Sequence, residues 1–358
     1  VAPLRMATRG SATESRTEVT CVLVACLSVL IVLPLLALVV LRYSLVFPLL
    51  PTPVGSPHAP EAKLDGSLPL RLRRHVTAVA SEPHNVDHYP ALERAARYIE
   101  AELASYGLAP IAQIYSVEHC QVRNIEVMFE PRDAGLLTPT YVLGAHYDSP
   151  DDSPGANDNG SGVAVALELA RMFSMSGGDA LLRPRTHRLR LVFWVNEELP
   201  YGKTPDMGSW RHAKALKNSG EPVAGMVALE TLGYFSDAPG SQKFPFPFRW
   251  IYPDRGNFVA FVGLPGSRAL THRLTRGFRR ECDVPTIGGV VPGFVEGVDL
   301  SDHWAYHQFG FPALMLTDTA PFRNPRYHQP DDLPDTVDYA TLARITVGLE
   351  RTIRGLIE

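Results

Sequence analysis

A three-layer α/β sandwich around a central, mostly parallel mixed sheet, preceded by one transmembrane helix, is the fold class the sequence predicts. Three observations carry it. Candidate strands alternate with candidate helices along most of the chain. The strands TYVLGAH (residues 140–146), LRLVFWV (189–195), VAGMVALE (223–230) and FPALMLTD (311–318) are near-continuous apolar runs, as expected of strands buried on both faces. Near the amino end stands a 22-residue run without a charge, TCVLVACLSVLIVLPLLALVVL (Thr20 to Leu41).

That run is long enough for the roughly 30 Å hydrocarbon core of a bilayer, and Pro34 within it is tolerated in membranes. A cleaved signal peptide has a shorter apolar region, about 7–15 residues, and no small-residue cleavage site closes this one. Arg5, Arg9 and Arg16 precede the run, and Arg42 alone follows it closely. The positive-inside rule therefore puts residues 1–19 in the cytoplasm as a tail, the anchor at 20–42, and the rest outside. The expectation is a single-pass membrane protein held in the lipid bilayer through residues 20–42. Residues 43–67 are rich in proline and read as a semi-rigid linker to one domain over 68–358.

Within that domain, ALERAARYIEAELASYGL (91–108) has the apolar stripe of an amphipathic helix, with Gly107 as its stop. VRNIEVMFE (122–130) alternates like a strand, and the TYVLGAH strand follows. GVAVALELARMF (162–173) is a helix. The strands at 189–195, 223–230, 257–264 and 311–318 come next, and residues 337–358 close the chain as a long helix.

The 358 residues, 45% of them hydrophobic, can bury a sizeable core. A net charge of −4 with scattered basic residues excludes a nucleic-acid partner, which requires a basic face. Cys21 and Cys26 fall inside the apolar run, and Cys120 and Cys282 in the domain are left open as to pairing. No G-x-S-x-G elbow occurs, which argues against a serine hydrolase.

The chemistry gathers at the ends of the predicted strands. In sheets of this kind, ligands bind at the carboxyl ends of the strands. The run ending at Gly144 hands His146 and Asp148 to that edge, and GAHYDSPDDSPGANDNGSG (144–162) continues through Asp151, Asp152 and Asp158. The run ending at Val195 delivers Glu197 and Glu198, and the one ending at Leu229 delivers Glu230. SDH (301–303) precedes the last strand, and RYHQPDD (326–332) follows it. Each group alone is ordinary: an acidic loop is commonly solvated, and a lone histidine is commonly structural. Together, histidines and carboxylates on one rim form a donor set suited to zinc, with enough ligands for two ions. One neighbouring carboxylate is left to take a proton from water.

The ordered series of His-x-Asp, an Asp-Asn-Gly loop, Glu-Glu and a late Tyr-His resembles the co-catalytic zinc aminopeptidases of the leucyl aminopeptidase and aminopeptidase Y type. Glutaminyl cyclases are a sister branch. The resemblance runs over residues 68–358 and includes DMGSWRHA (206–213) and SDHWAYHQFGFPALMLTDT (301–319). It implies a zinc-exopeptidase-like fold and hydrolysis of amino-terminal residues from peptides through a metal-activated water. By motif, His146 would ligate one zinc, Asp158 would bridge two, and Glu198 and His328 would ligate the second. Glu197 would be the general base, Asp148 would orient His146, and Asp302 would support the ligands from behind. Where the family usually shows Asp-x-x-Gly, this chain has ETLG, with Glu230 in the ligand slot on an arm one methylene longer.

Two alternatives stand beside this reading. A glutaminyl-peptide cyclotransferase would use a single zinc, and VNEELP here replaces its usual Asp-Gly-Glu-Glu surroundings. A peptidase-like binding or receptor ectodomain would hold no transition metal. The aromatics Phe244, Phe246, Phe248, Trp250 and Tyr252, between Glu230 and Asp302, suit either a specificity pocket or plain packing. The sequence names neither a preferred amino-terminal residue nor an oligomeric state.

Overall fold

The computed structural model describes residues 28–36, 65–131, 133–175, 184–244, 248–250 and 252–358. The chain falls into two units, Val1–Phe47 and Pro48–Glu358. In the first, residues 28–36 form a helix (α1) with its side chains exposed. The rest of the expected anchor, the tail 1–19 and linker residues 43–64 lie outside the described residues. Among the described residues no helix is long and apolar enough to cross a membrane.

The second unit is built on one mixed sheet of eight strands in the order β1-β2-β4-β3-β5-β8-β6-β7. Its centre consists of β4 (Arg188–Trp194), β3 (Thr140–His146), β5 (Val223–Glu230) and β8 (Ala313–Thr317), all parallel. On one side β2 (Cys120–Phe129) joins β4 antiparallel and carries β1 (Ile111–Val117) as its hairpin partner. On the other, β6 (Val259–Gly263) runs antiparallel to β8 and parallel to β7 (Thr286–Val290).

The apolar runs sort their residues between two cores. Leu143, Ala145, Leu191, Phe193, Val227 and Leu229 face one side. There they meet α2 (Leu68–Val79), α3 (Tyr89–Ser105), α4 (Gly162–Ser174), α6 (Arg268–Glu281) and α8 (Tyr339–Ile357). Val142, Val192, Trp194, Met226 and Ala228 face the other, against α5 (Gly208–Ser219) and α7 (His303–Gln308). Helices thus cover both faces, the condition under which strands can be apolar throughout. Gly144 permits β3 to lie close on β4, because a Cβ there would stand 1.8 Å from the Val192 carbonyl oxygen.

Six elements were not anticipated: β1, β7, α2, α6, and the helices α5 and α7, whose segments were quoted only as motifs. β1 is an edge strand with mostly exposed or half-buried residues, so no core period marks it. β7 carries two glycines in five residues. α2 starts just after the proline-rich stretch with Pro69 in its first turn, and α6 is rich in arginine. Cys120 and Cys282 are free, so no disulfide joins them.

Glu168 ties α4 to α2 inside the core. It accepts from Arg71 at 3.0 Å and Arg171 at 2.8 Å and faces His75 Nε2 at 3.2 Å. Burial raises its pKa, but hydrogen bonds from His75, Arg71 and Arg171 outweigh that and hold it at about 2, against an ordinary 4.5. A carboxyl held low stabilises the fold above its unfolded pKa, and that contribution is lost as pH falls through the folded one. Glu168→Gln is expected to reduce the unfolding free energy at pH 7 by about 3 kcal/mol. It should also flatten the acid loss of stability between about pH 5 and pH 2. Urea unfolding at a series of pH values measures both.

Candidate metal centre

The parallel strands β3, β4 and β5 end on the same rim, and their ends carry the candidate ligands. His146 is the last residue of β3 and Glu230 the last of β5, while Glu197 and Glu198 follow β4 by three and four residues. Asp158 lies in the turn Ala156–Ser161 that leads into α4. His328 comes from the loop between β8 and α8. Residues 12, 51, 52, 84 and 182 positions beyond His146 converge there because three crossovers return the chain to one edge.

Asp158 stands at the middle. Its Oδ1 is 3.4 Å from His146 Nε2 and its Oδ2 is 3.0 Å from His328 Nε2. Glu230 Oε2 is 3.4 Å from His146 Nε2, and Glu198 Oε2 is 3.6 Å from His328 Nε2. Two ligand groups result, His146–Asp158–Glu230 and Asp158–Glu198–His328, each with its donor atoms within 4.8 Å of one another and with Asp158 in common. His146, Glu197 and Glu198 form a third such group. Glu197 Oε2 lies 3.8 Å from His146 Nε2.

The donor set fits divalent zinc. His146 Nε2 and both carboxylate oxygens of Asp158 are buried without a hydrogen bond, although such atoms ordinarily find a partner. Carboxylates crowd the pocket. Burial, with repulsion from Asp158 and Glu197, pushes Glu198 well above the usual carboxylate range. Burial and the charges of Glu230, Asp302 and Asp148 do the same to Glu197, against the pull of His146. Asp302, fully buried behind them, is raised to about 7, mainly by burial. Burial would likewise raise Asp158, but the two imidazoles hold it below its ordinary value. Imidazole nitrogens and carboxylate oxygens at this spacing are donors of the kind that zinc takes.

The supporting contacts hold several residues that the motifs did not point to. His146 Nδ1 bonds the backbone carbonyl of Asp148 at 3.1 Å, which fixes its orientation, whereas the Asp148 carboxylate is 3.6 Å away. That carboxylate instead accepts the backbone N–H of Glu197 and of Glu198, each at 3.1 Å, and so positions the glutamate pair. Asp332 accepts the N–H groups of Asn157 and Asp158, at distances of 3.0–3.1 Å, and holds the Asp158 turn. Asn159 donates to Leu229 O at 2.7 Å and accepts from Thr231 N at 3.2 Å, gripping the main chain on both sides of Glu230. Asn196, Thr231 and His328 have φ of 62°, 49° and 57°. Non-glycine residues in the left-handed region cost of order 1 kcal/mol or more and cluster at sites that aim side chains. Asp332, within RYHQPDD, and Asn159, within the Asp-Asn-Gly loop, both lie in quoted motifs, but neither was given a role because each grips main chain. His303, the last residue of the SDH cluster, bonds the Val298 carbonyl at 2.8 Å.

Beside Glu230 opens a cavity with about 840 Å³ of empty space, its mouth included. Phe244, Phe248, Tyr252, Ile287, Val291 and Met315 form apolar walls, and Glu230 and Tyr327 border the metal side. Phe244, Phe248 and Tyr252 thus line the pocket; Trp250 is exposed, and Phe246 lies outside the described residues.

Comparison with known proteins gives the same picture. A family model described as "Peptidase family M28" matches residues 124–352. The chain is 37% identical over 276 residues to "Uncharacterized protein YfbL" of Escherichia coli (strain K12), covering 75% of this chain and 81% of that protein. It is 28% identical over 249 residues to the "Probable leucine aminopeptidase" of Arthroderma otae, covering 65% of this chain. The alignment spans 59% of that fungal relative's length. Among solved structures, the aminopeptidase from Aneurinibacillus sp. strain AM-1 superposes with a TM-score of 0.58 at 16% identity, over 80% of this chain and 93% of its own. At that identity the likeness concerns the fold.

Proposed function

The chain belongs to peptidase family M28, and from that membership we propose that it is a zinc-dependent aminopeptidase that removes apolar amino-terminal residues from peptides. The observation that carries the reading is the pair of ligand groups sharing Asp158, whose two oxygens face one histidine each. His146, Asp158 and Glu230 would hold one ion, and Asp158, Glu198 and His328 the other. Zinc, when bound, supplies Lewis acidity, polarising a carbonyl and acidifying a water.

The remaining work belongs to the protein. Glu197 accepts the proton of the attacking water at its carboxylate and returns it to the departing amine, a role favoured by burial that makes it a stronger base than a surface glutamate. Asp148 keeps Glu197 in place through its backbone N–H. The apolar cavity receives the side chain of the first residue and excludes water from it. We also propose that residues 20–42 anchor the chain in a bilayer, with residues 1–19 on the cytoplasmic side and the linker 43–67 leading to the peptidase domain. The support is the length of the uncharged run and the arginines before it.

The activity is tested by giving the purified chain aminoacyl anilides with leucine, phenylalanine, lysine or glutamate. Release from the leucine and phenylalanine substrates, lost on chelation and restored by zinc, is the expected result. Activity that survives chelation, or that ignores a blocked amino terminus, overturns it. A single zinc per chain with cyclisation of glutaminyl peptides would favour the cyclotransferase.

A further inference from the structure

The end of the domain opposite the metal ligands has a surface of its own. β3, β4 and β5 are parallel and finish at the ligands, so their first residues, Thr140, Arg188 and Val223, mark the far end. The loop that enters β3 lies there. It makes a tight turn in which Thr138 N–H bonds Gly135 O at 3.1 Å, and the two central residues, Leu136 and Leu137, are 90% and 84% exposed. α4 runs from the Asp158 turn down to the same end, where Met175 follows it and is exposed. Apolar side chains offered to water in a group mark a contact surface rather than a device of stability.

Cations stand beside these leucines. Exposed Arg185 comes just before β4, and its backbone N–H bonds Ile357 O at the end of α8. Exposed Arg273 reaches from α6 to the hydroxyl of Tyr141, the second residue of β3, at 3.2 Å. Exposed Lys217 lies over the Phe311 ring, just before β8, at 5.6 Å. The strand starts they flank lie side by side, about 4.8 Å apart. Glu130 and Glu221 at this end are bound to Arg188 and Arg190 at 2.7 and 2.8 Å, and exposed Asp133 and Glu358 offset part of the positive charge.

The chain that precedes the domain also joins it here. α2 ends against the Asp158 turn, where a Cβ on Gly160 would stand 2.9 Å from the Ala80 Cβ. Arg71, near its start, bonds Glu168 in the middle of α4 at 3.0 Å. α2 and α4 thus run antiparallel, and the first turn of α2, with Leu70 exposed, lies toward the far end.

We propose that this end of the peptidase domain is a lipid-docking face. Leu136 and Leu137 enter the interfacial layer of a phospholipid bilayer, Arg185, Arg273 and Lys217 meet its phosphates, and the metal centre faces away from the membrane. The proposal rests on the reading of residues 20–42 as an anchor. At about 3.1 Å per residue, the linker 43–67 spans at most about 80 Å. A tether of that length keeps the face at high local concentration against the lipid, so contacts that are weak one by one suffice.

The test uses the full chain in vesicles of phosphatidylcholine with about 30% phosphatidylglycerol, with and without brominated acyl chains. Cys21, Cys26 and Cys120 are replaced by serine, and Cys282 is buried. A single cysteine at Leu137, at Met175 or at exposed Asp152, in the loop that leaves His146, then carries a bimane label. Brominated lipid is expected to quench the label at positions 137 and 175 by about twofold and to leave the label at 152 unchanged. Leu136→Ser with Arg185→Glu should bring the label at 175 back to the level seen at 152. Vesicle-bound chain with no quenching at 137 or 175 overturns the docking face and leaves the anchor standing. Equal quenching at all three positions means adsorption without orientation and overturns it as well. Emission at 137 that follows the ratio of chain to lipid instead of bromine would make this face a contact between copies, against the proposal. Chain that alkaline carbonate strips from the vesicles would remove the anchor reading and the docking face with it.

Discussion

Asp158→Ala is expected to abolish binding of both ions and to lower kcat/KM by about 10⁴-fold or more. No other single side chain belongs to both ligand groups that meet at Asp158, where Oδ1 faces His146 and Oδ2 faces His328. Removing it takes a ligand from each group and the central negative charge from between them. His146→Ala and His328→Ala each strip one group and are expected to leave about one equivalent of zinc. The turn itself should survive the change. Asp332 holds it through the backbone N–H groups of Asn157 and Asp158, and Asn159 fastens it to β5, with no part played by the Asp158 side chain. Metal analysis of the three variants, with thermal melting of the metal-free forms as a folding control, makes the measurement. Two tightly bound zinc ions in Asp158→Ala would end the shared-ligand account.

The difference between what the sequence reveals and what it conceals follows from the range of the forces involved. β3, β4, β5 and β8 are legible because burial on both faces requires apolar side chains at every position, and β3 was bounded correctly at 140–146. Those strands also deliver His146, Glu197, Glu198 and Glu230 to one rim, so the candidate ligands could be gathered before any coordinates. β1 and β7 were illegible because an exposed edge imposes no apolar pattern and paired glycines carry none. The bracing contacts were hidden for another reason. Asp148 was expected to hold the His146 ring, yet its carboxylate serves the amides of Glu197 and Glu198, while its backbone carbonyl holds the ring. A backbone amide has the same signature at every residue, so a carboxylate that binds one leaves no mark at the partner's position. The hydrogen bond that Ser301 donates to Glu230 joins two side chains, but they are brought together by α7 and β5, whose packing is a property of the whole domain.

Glu197→Gln is expected to lower kcat/KM by about 10²- to 10⁴-fold while zinc content stays at two equivalents. The substitution conserves shape and removes the capacity to accept a proton, so it separates proton transfer from coordination. The fold gives the two adjacent glutamates different tasks. Both leave the end of β4 through Asn196, whose left-handed backbone turns the chain, and both backbone amides are fastened to one Asp148 carboxylate. Glu198 then reaches the His328 side of the site, 3.6 Å from that imidazole, and enters one of the groups built on Asp158. Glu197 stays outside both and faces His146 from 3.8 Å, its carboxylate raised in basicity by burial and by neighbouring negative charge. Asp148→Asn should reproduce part of the loss, because the amide side chain retains only one acceptor oxygen for two N–H groups. Loss of one zinc equivalent in Glu197→Gln would make Glu197 a ligand instead, as its membership in the third group permits. Full activity with both ions bound would deprive it of the proton-transfer role, and the search for the base would move to Glu198 and Asp302, two further buried acids at the site raised above their ordinary range.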